Sequence, residues 1–232
     1  MYVLHYAPDN ASLIVRLALE ELAVPYRAVL VDRAARQQDS AAFRALNPAG
    51  LIPVLETPEG PSAETGAILL WLTETHGVLA PAPVHSDRGA FLKTLFFVAN
   101  TLHSELRLVF YPEQYVGDDR GMQQRLHEAV TARLQRHYRL LDDLAAAQPG
   151  YFAASEPGVL DLYVAVTMRW AQLYARMGAG WFDGAAFPHL RAMAARLEGR
   201  DCVRAAQRAE GLGETPFTAP KPCRPPEGSA LG

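Results

Sequence analysis

An α/β domain followed by an all-helical one is what this chain of 232 residues predicts, on three observations. Short strand and helix patterns alternate through residues 1–77 in the order β-α-β-α-β-β-α. A proline-rich stretch, Leu79-Ala80-Pro81-Ala82-Pro83, then interrupts the pattern as a short semi-rigid linker. Beyond it every periodic stretch has helical spacing and no strand signal recurs. The expected organisation is a first domain at 1–77, a linker at 78–86, a helical domain at 87–210 and a proline-rich tail at 211–232.

Taken in order, Tyr2 to Ala7 alternate as a strand, and Pro8-Asp9-Asn10-Ala11-Ser12 break it. Leu13, Ile14, Leu17, Ala18 and Leu22 then recur at helical spacing, with Asn10 or Ser12 as the expected cap. Val24-Pro25 ends this helix, and Tyr26 to Val31 form a second strand. Ser40 to Leu46 read as a short helix stopped at Asn47-Pro48. A strand from Leu51 to Leu55 follows, then a hairpin turn at Thr57-Pro58-Glu59-Gly60-Pro61. After a stub of strand comes a helix through Ile68, Leu69 and Leu72, ended by His76-Gly77. In the second half, Asp87 to Tyr111 read as one long helix broken at Pro112. Leu126, Val130, Leu134, Leu141 and Leu144 line the next, and Leu162, Val166, Trp170, Leu173 and Met177 a third. Shorter helices follow Pro188 and start near Asp201. The tail carries Pro216, Pro220, Pro222, Pro225 and Pro226, too many for helix or sheet, and is expected to lie extended over a surface or loose.

Half of the residues are apolar and the net charge is −3, which suits well-filled globular cores. No run of about 18 apolar residues is present to span a membrane. The opening Tyr2-Val3-Leu4-His5-Tyr6 has neither the basic region nor the apolar stretch of a signal peptide. Cys202 and Cys223 make no metal spacing and no disulfide framework, so no metal is expected and the reducing cytoplasm is the expected location. Twenty of the 22 basic residues are arginines scattered along helices, without a block suited to nucleic acid.

Pro53 stands out. It lies in an otherwise buried strand, yet has no N–H for a sheet ladder, so it belongs at an edge or a special site. A cis Ile52–Pro53 bond there would turn the backbone groups of Ile52 outward. Glu64 and Thr65 end a strand and open an apolar helix, where unpaired N–H groups attract anions. Together these features form a docking edge for a peptide-like ligand that carries a carboxylate.

Several stretches carry a resemblance to a known family: Tyr6-Ala7-Pro8-Asp9-Asn10-Ala11-Ser12-Leu13, Leu17-Ala18-Leu19-Glu20-Glu21, Asn47-Pro48-Ala49-Gly50-Leu51-Ile52-Pro53-Val54-Leu55, and Ala63-Glu64-Thr65-Gly66-Ala67-Ile68. Over about residues 1–210 the chain resembles the cytosolic glutathione S-transferases, with an opening most similar to bacterial members. The resemblance implies a thioredoxin-like first domain that binds glutathione as co-substrate, a helical domain that shapes the electrophile pocket, and a homodimer. It implies that Ile52, before Pro53, pairs its backbone with the cysteinyl part of glutathione, and that Glu64 and Thr65 hold the γ-glutamyl end. The chemistry agrees: a carboxylate suits the ammonium, and a hydroxyl with helix N–H groups suits the carboxylate.

The thiolate is the nucleophile, and a free thiol has a pKa of about 8.5. A donor at the start of the first helix, helped by the helix dipole, would lower it. The bacterial turn has a cysteine where this chain has Ala11, so the resemblance does not extend to mixed-disulfide chemistry. Ser12, Asn10 and Tyr6 remain as thiol activators, ranked in that order, with plain helix capping as the competing role of Ser12 and Asn10. Thr101-Leu102-His103-Ser104 resembles a stretch in which the family's histidine and lysine face the active-site cleft. His103 is retained and the lysine position is Ser104. His103 is a candidate donor to sulfur or leaving group, or a satisfied core residue. Arg107, Tyr111 and Tyr115 are candidate walls of the electrophile pocket. Gly158-Val159-Leu160-Asp161 stands where the family has a capping box, and Asp161 is expected to be structural. The reaction expected is thiolate addition to a small hydrophobic electrophile. Dehalogenation, ether cleavage, isomerisation, peroxide reduction and a non-catalytic binding or assembly module are the alternatives.

Overall fold

The computed structural model describes residues 1–178 and 180–230. The chain divides into two compact units, one of 1–82, 198–216 and 221–230, the other of 83–197 and 217–220.

In the first unit, β1 (Tyr2–Tyr6), β2 (Tyr26–Leu30), β3 (Val54–Thr57) and β4 (Gly60–Ala63) form one sheet in the order β2-β1-β3-β4. β1 runs parallel to β2 and antiparallel to β3, and β3 antiparallel to β4. Tyr6 pairs with Leu30, His5 with Val54, and Val54 with Ala63. This register brings the ends of β1, β2 and β4 and the start of β3 to a single edge of the sheet. Strand β3 starts later than the apolar run suggested, at Val54, because Pro53 offers no ladder donor.

Residues alternate across a strand. Leu4 and Tyr6 are buried towards α1 (Ser12–Glu21), whose Arg16 lies over the Tyr6 ring. His5 faces α2 (Ala41–Leu46), its ring 6.1 Å from Phe43. Phe43 joins Val31 and Val54 in a small cluster on that side. Helix α1 is buried almost all round, as a helix this apolar must be. It lies against α3 (Thr65–His76) and also against α10 (Asp201–Glu210). The spacing had assigned residues 201–210 to the helical domain. Helix α10 instead packs with the first unit, because its apolar face, Cys202, Val203 and Ala206, covers α1.

The second unit contains α4 (Arg88–Phe97), a π-helical turn (Val98–Leu102), α5 (His103–Phe110), α6 (Glu113–Val116), α7 (Arg120–Ala147), α8 (Val159–Leu173) and α9 (Pro188–Glu198). The expected helix from Asp87 to Tyr111 is present as a continuous helical run from 88 to 110 with the π turn inside it. Helix α5 packs on α7 and α8. Asp161 is buried at the start of α8, where its carboxylate accepts from the amides of Gly158 (2.8 Å) and Ala153 (2.7 Å). Gly158 has no side chain to complete a capping box, so Asp161 supplies the reciprocal half alone. Burial pushes its pKa up to about 6, against the pull of the backbone donors and Arg196.

Candidate functional site

The turn between β1 and α1 is held from within and from behind. Asp9 adopts a left-handed conformation, φ 52°, that a short polar side chain tolerates. Its amide donates to Glu210 Oε2 at 2.7 Å. The other oxygen of Glu210 accepts from Arg16 Nε at 2.7 Å, and both side chains are almost fully buried. Burial pushes the Glu210 carboxyl up to about 7, opposed by Arg16 and the Asp9 amide. Arg16 also donates to the Tyr26 hydroxyl and lies 4.5 Å from the centre of the Tyr6 ring.

Each candidate thiol activator has a definite environment. Ser12 is fully buried; its hydroxyl donates to the Ala7 carbonyl (3.0 Å) and accepts from the Ala7 amide (3.2 Å). It does not cap α1, whose N-cap is Ala11 without a side-chain bond. Asn10 is partly exposed, and its Oδ1 accepts from the Ala11 amide at 2.8 Å. Its Nδ2 donates to no protein atom among the described residues. The Tyr6 hydroxyl donates to Glu227 Oε1 at 2.6 Å. Burial, then Glu227, holds the phenol well above its ordinary pKa.

Ile52–Pro53 is cis, and among the described residues no hydrogen bond is made to the Ile52 backbone. The loop before it is braced by Asn47, which donates to the Leu51 carbonyl (2.8 Å) and accepts from the Ala49 amide (3.1 Å). Glu64 holds a left-handed φ of 68° immediately before α3. That is a costly conformation for a residue with a Cβ, of the kind that gathers at functional sites. Its carboxylate is exposed, with no protein partner among the described residues. Thr65 is buried at the first position of α3. The first amide of α3 with an acceptor is that of Ile68, bonded to the Glu64 carbonyl. Those of Thr65, Gly66 and Ala67 have no protein acceptor among the described residues.

The sheet register therefore gathers Tyr6, Asn10, Ser12, Ile52, Pro53, Glu64 and Thr65 at one edge of the first unit. The remaining candidates belong to the second. His103 opens α5, its Nδ1 2.8 Å from the Tyr163 hydroxyl and its ring 5.2 Å from that of Trp170. Burial, with Arg107 adding to it, pulls its pKa down to about 4, so the imidazole is neutral near pH 7. Arg107 lies 5.7 Å from the Tyr111 ring centre at the end of α5, and Tyr115 is exposed on α6. Arg16, Asn47 and Glu210 were missed as supports of the site. A lone arginine inside the apolar run from Leu13 to Leu19 was the available signal for the first, since a buried charge demands a partner.

Residues 11–75 match the family model described as glutathione S-transferase, N-terminal domain. A glutathione S-transferase of Xanthomonas campestris is 27% identical over 211 residues, covering 90% of this chain and 98% of that protein. A sphingomonad glutathione S-transferase solved in complex with glutathione is 31% identical, with a TM-score of 0.73, covering 91% of this chain and 100% of that one. A bacterial beta-class enzyme of Sphingomonas chungbukensis is 28% identical with the same TM-score, covering 90% and 98%. With sequence and fold agreeing from one end of those relatives to the other, the chain belongs to the glutathione S-transferase family.

Proposed function

We propose that the chain binds glutathione across the sheet edge of its first unit and transfers the thiolate to a small hydrophobic electrophile. The observation that carries this reading is the row of groups there without a protein partner among the described residues: the Ile52 backbone, the Glu64 carboxylate and the first amides of α3. Glu64 takes the γ-glutamyl ammonium by a charge-assisted bond, while Thr65 and the α3 amides take the adjoining carboxylate. The Ile52 backbone pairs with the cysteinyl residue, and the sulfur rests at the start of α1. There Asn10 Nδ2, which among the described residues has no protein acceptor, stabilises the thiolate together with the helix dipole. The thiol proton leaves to solvent. The sulfur lone pair then forms the C–S bond as the electrophile's leaving group departs with its electrons, or as an activated double bond takes a proton.

For the second unit, the resemblance supports neutral His103 as a proton or hydrogen-bond donor and Arg107, Tyr111 and Tyr115 as walls of the electrophile pocket. Detoxification by a cytoplasmic homodimer completes the proposal. A second reading, glutathione binding without turnover, draws on the hydroxyls of Ser12 and Tyr6 already being engaged within the protein. The ultraviolet thiolate band of bound glutathione, measured against pH, separates the two. A band present near neutrality and weakened in Asn10→Ala supports transfer; bound glutathione without the band supports binding alone.

A further inference from the structure

Residues 221–230 of the tail lie with the first unit. The Arg224 amide donates to the Gly211 carbonyl at 2.8 Å, which ties the tail back to the end of α10. Gly211, at φ 63°, is packed so closely against the Arg224 carbonyl that a Cβ would collide with it. Three residues on, Glu227 accepts the Tyr6 hydroxyl at 2.6 Å. Gly228 lies against Pro8 and Leu30, with so little room that a Cβ would sit 3.3 Å from the proline Cδ and 2.6 Å from a Leu30 methyl. Arg33 then donates to the Ala230 carbonyl at 2.6 Å. Tyr6 and Leu30 are the last residues of β1 and β2, and Pro8 belongs to the turn that carries Asn10. The segment therefore crosses the same sheet edge that holds the candidate glutathione groups.

We propose that Arg224 to Ala230 form an autoinhibitory latch on the thiol site, with Glu227 as its catch. This rests on the reading that glutathione binds at that edge. The catch acts in two ways. It takes the one proton that the Tyr6 hydroxyl has to give, so the phenol cannot donate to sulfur while the latch is closed. It also fixes a carboxylate at a site that must accept a thiolate and the carboxylates of glutathione, where like charge opposes binding. The neighbouring cation does not offset this charge by pairing with it: Arg16 is engaged by Glu210 and the Tyr26 hydroxyl. Glu227 has no ion pair among the described residues. Opening the latch removes the charge and releases the Tyr6 proton donor together.

The test compares the full chain, Glu227→Gln, and a chain ending at Pro220, each titrated with glutathione by calorimetry and by the thiolate band against pH. The latch predicts at least threefold tighter glutathione binding in both altered proteins, and a thiolate midpoint at lower pH than in the full chain. It also predicts that Tyr6→Phe, added to the chain ending at Pro220, moves that midpoint back up. Equal affinities and midpoints in the full chain and Glu227→Gln overturn the latch while leaving glutathione binding intact. So does weaker binding on removal of the catch, which would make the tail a wall of the site. If no form binds glutathione, the functional reading and the latch fall together. The point variant keeps the test decisive if the shortened chain does not fold.

Discussion

Replacing Glu210 by alanine removes one member of a buried ion pair and the acceptor of a buried amide at once. The Arg16 guanidinium, with its side chain only 5% exposed, loses the carboxylate 2.7 Å away, and the Asp9 amide loses its 2.7 Å partner. Breaking a buried pair from one side costs about 3–5 kcal/mol, because the surviving charge stays desolvated. An orphaned buried amide adds about 1–3 kcal/mol. The two overlap, since a water admitted to the gap would serve both, so the expected loss is about 4–6 kcal/mol. Urea unfolding followed by far-ultraviolet dichroism reads this as a lower midpoint at unchanged slope. Glu210→Gln, which keeps the volume and an acceptor, should lose about half as much. Replacing both partners with apolar residues of similar size should come close to the parent, because an ion pair returns little beyond its own desolvation. A midpoint shift worth less than about 1 kcal/mol in Glu210→Ala would refute the reasoning. It would mean that α10 does not hold the β1–α1 turn.

Asp161→Ala should lose about 2–5 kcal/mol in the same assay, since the buried amide of Ala153 and the half-buried amide of Gly158 lose their acceptor; unchanged glutathione affinity in the surviving folded protein is expected alongside. Because the folded Asp161 pKa is raised to about 6, the native state holds a proton that the unfolded chain releases near pH 4. Stability from this group is therefore fully present below about pH 4, falls by up to about 3 kcal/mol between pH 4 and 6, and is flat above; Asp161→Asn should flatten that window in urea titrations at several pH values. Glu64→Gln should weaken glutathione binding roughly threefold to tenfold by calorimetry, with the thiolate midpoint unmoved, because the side chain acts far from sulfur and in solvent. Asn10→Ala should raise the thiolate midpoint by about 1–2 pH units, the worth of one hydrogen bond to a charged acceptor. Ser12→Ala should instead lose about 1–3 kcal/mol of stability and leave the midpoint alone, since among the described residues its hydroxyl bonds to the Ala7 backbone alone.

Local chemistry makes much of this molecule legible in its sequence. Strand alternation and helical spacing identified the α/β half and the helices after the linker, because those periods follow from burial on one face. The dipeptide Glu64-Thr65 opening an apolar helix and the proline at position 53 marked the candidate docking edge, because unpaired backbone has to be explained wherever it occurs. The expected strand at Leu51 was too early by three residues, the same proline being the cause. Ser12 turned inward to brace Ala7, a choice set by the left-handed Asp9 turn that no spacing rule reports. The attachment of α10 to α1 was hidden for a different reason. Glu210 and Asp9 are 201 residues apart, and two charged residues at that separation carry no periodic signal. The bond from Tyr6 to Glu227 spans 221 residues and was hidden in the same way.

The claim on which the rest depends is that glutathione lies along one edge of the first unit's sheet. Backbone amide spectra of the labelled protein, recorded during a glutathione titration, test it residue by residue. The account predicts saturable shifts concentrated at Asn10 and Ala11, Ile52, and Glu64 to Ala67, with Glu64→Gln weakening the whole set together. Shifts that gather elsewhere on the protein, or a spectrum that glutathione leaves untouched, would contradict it.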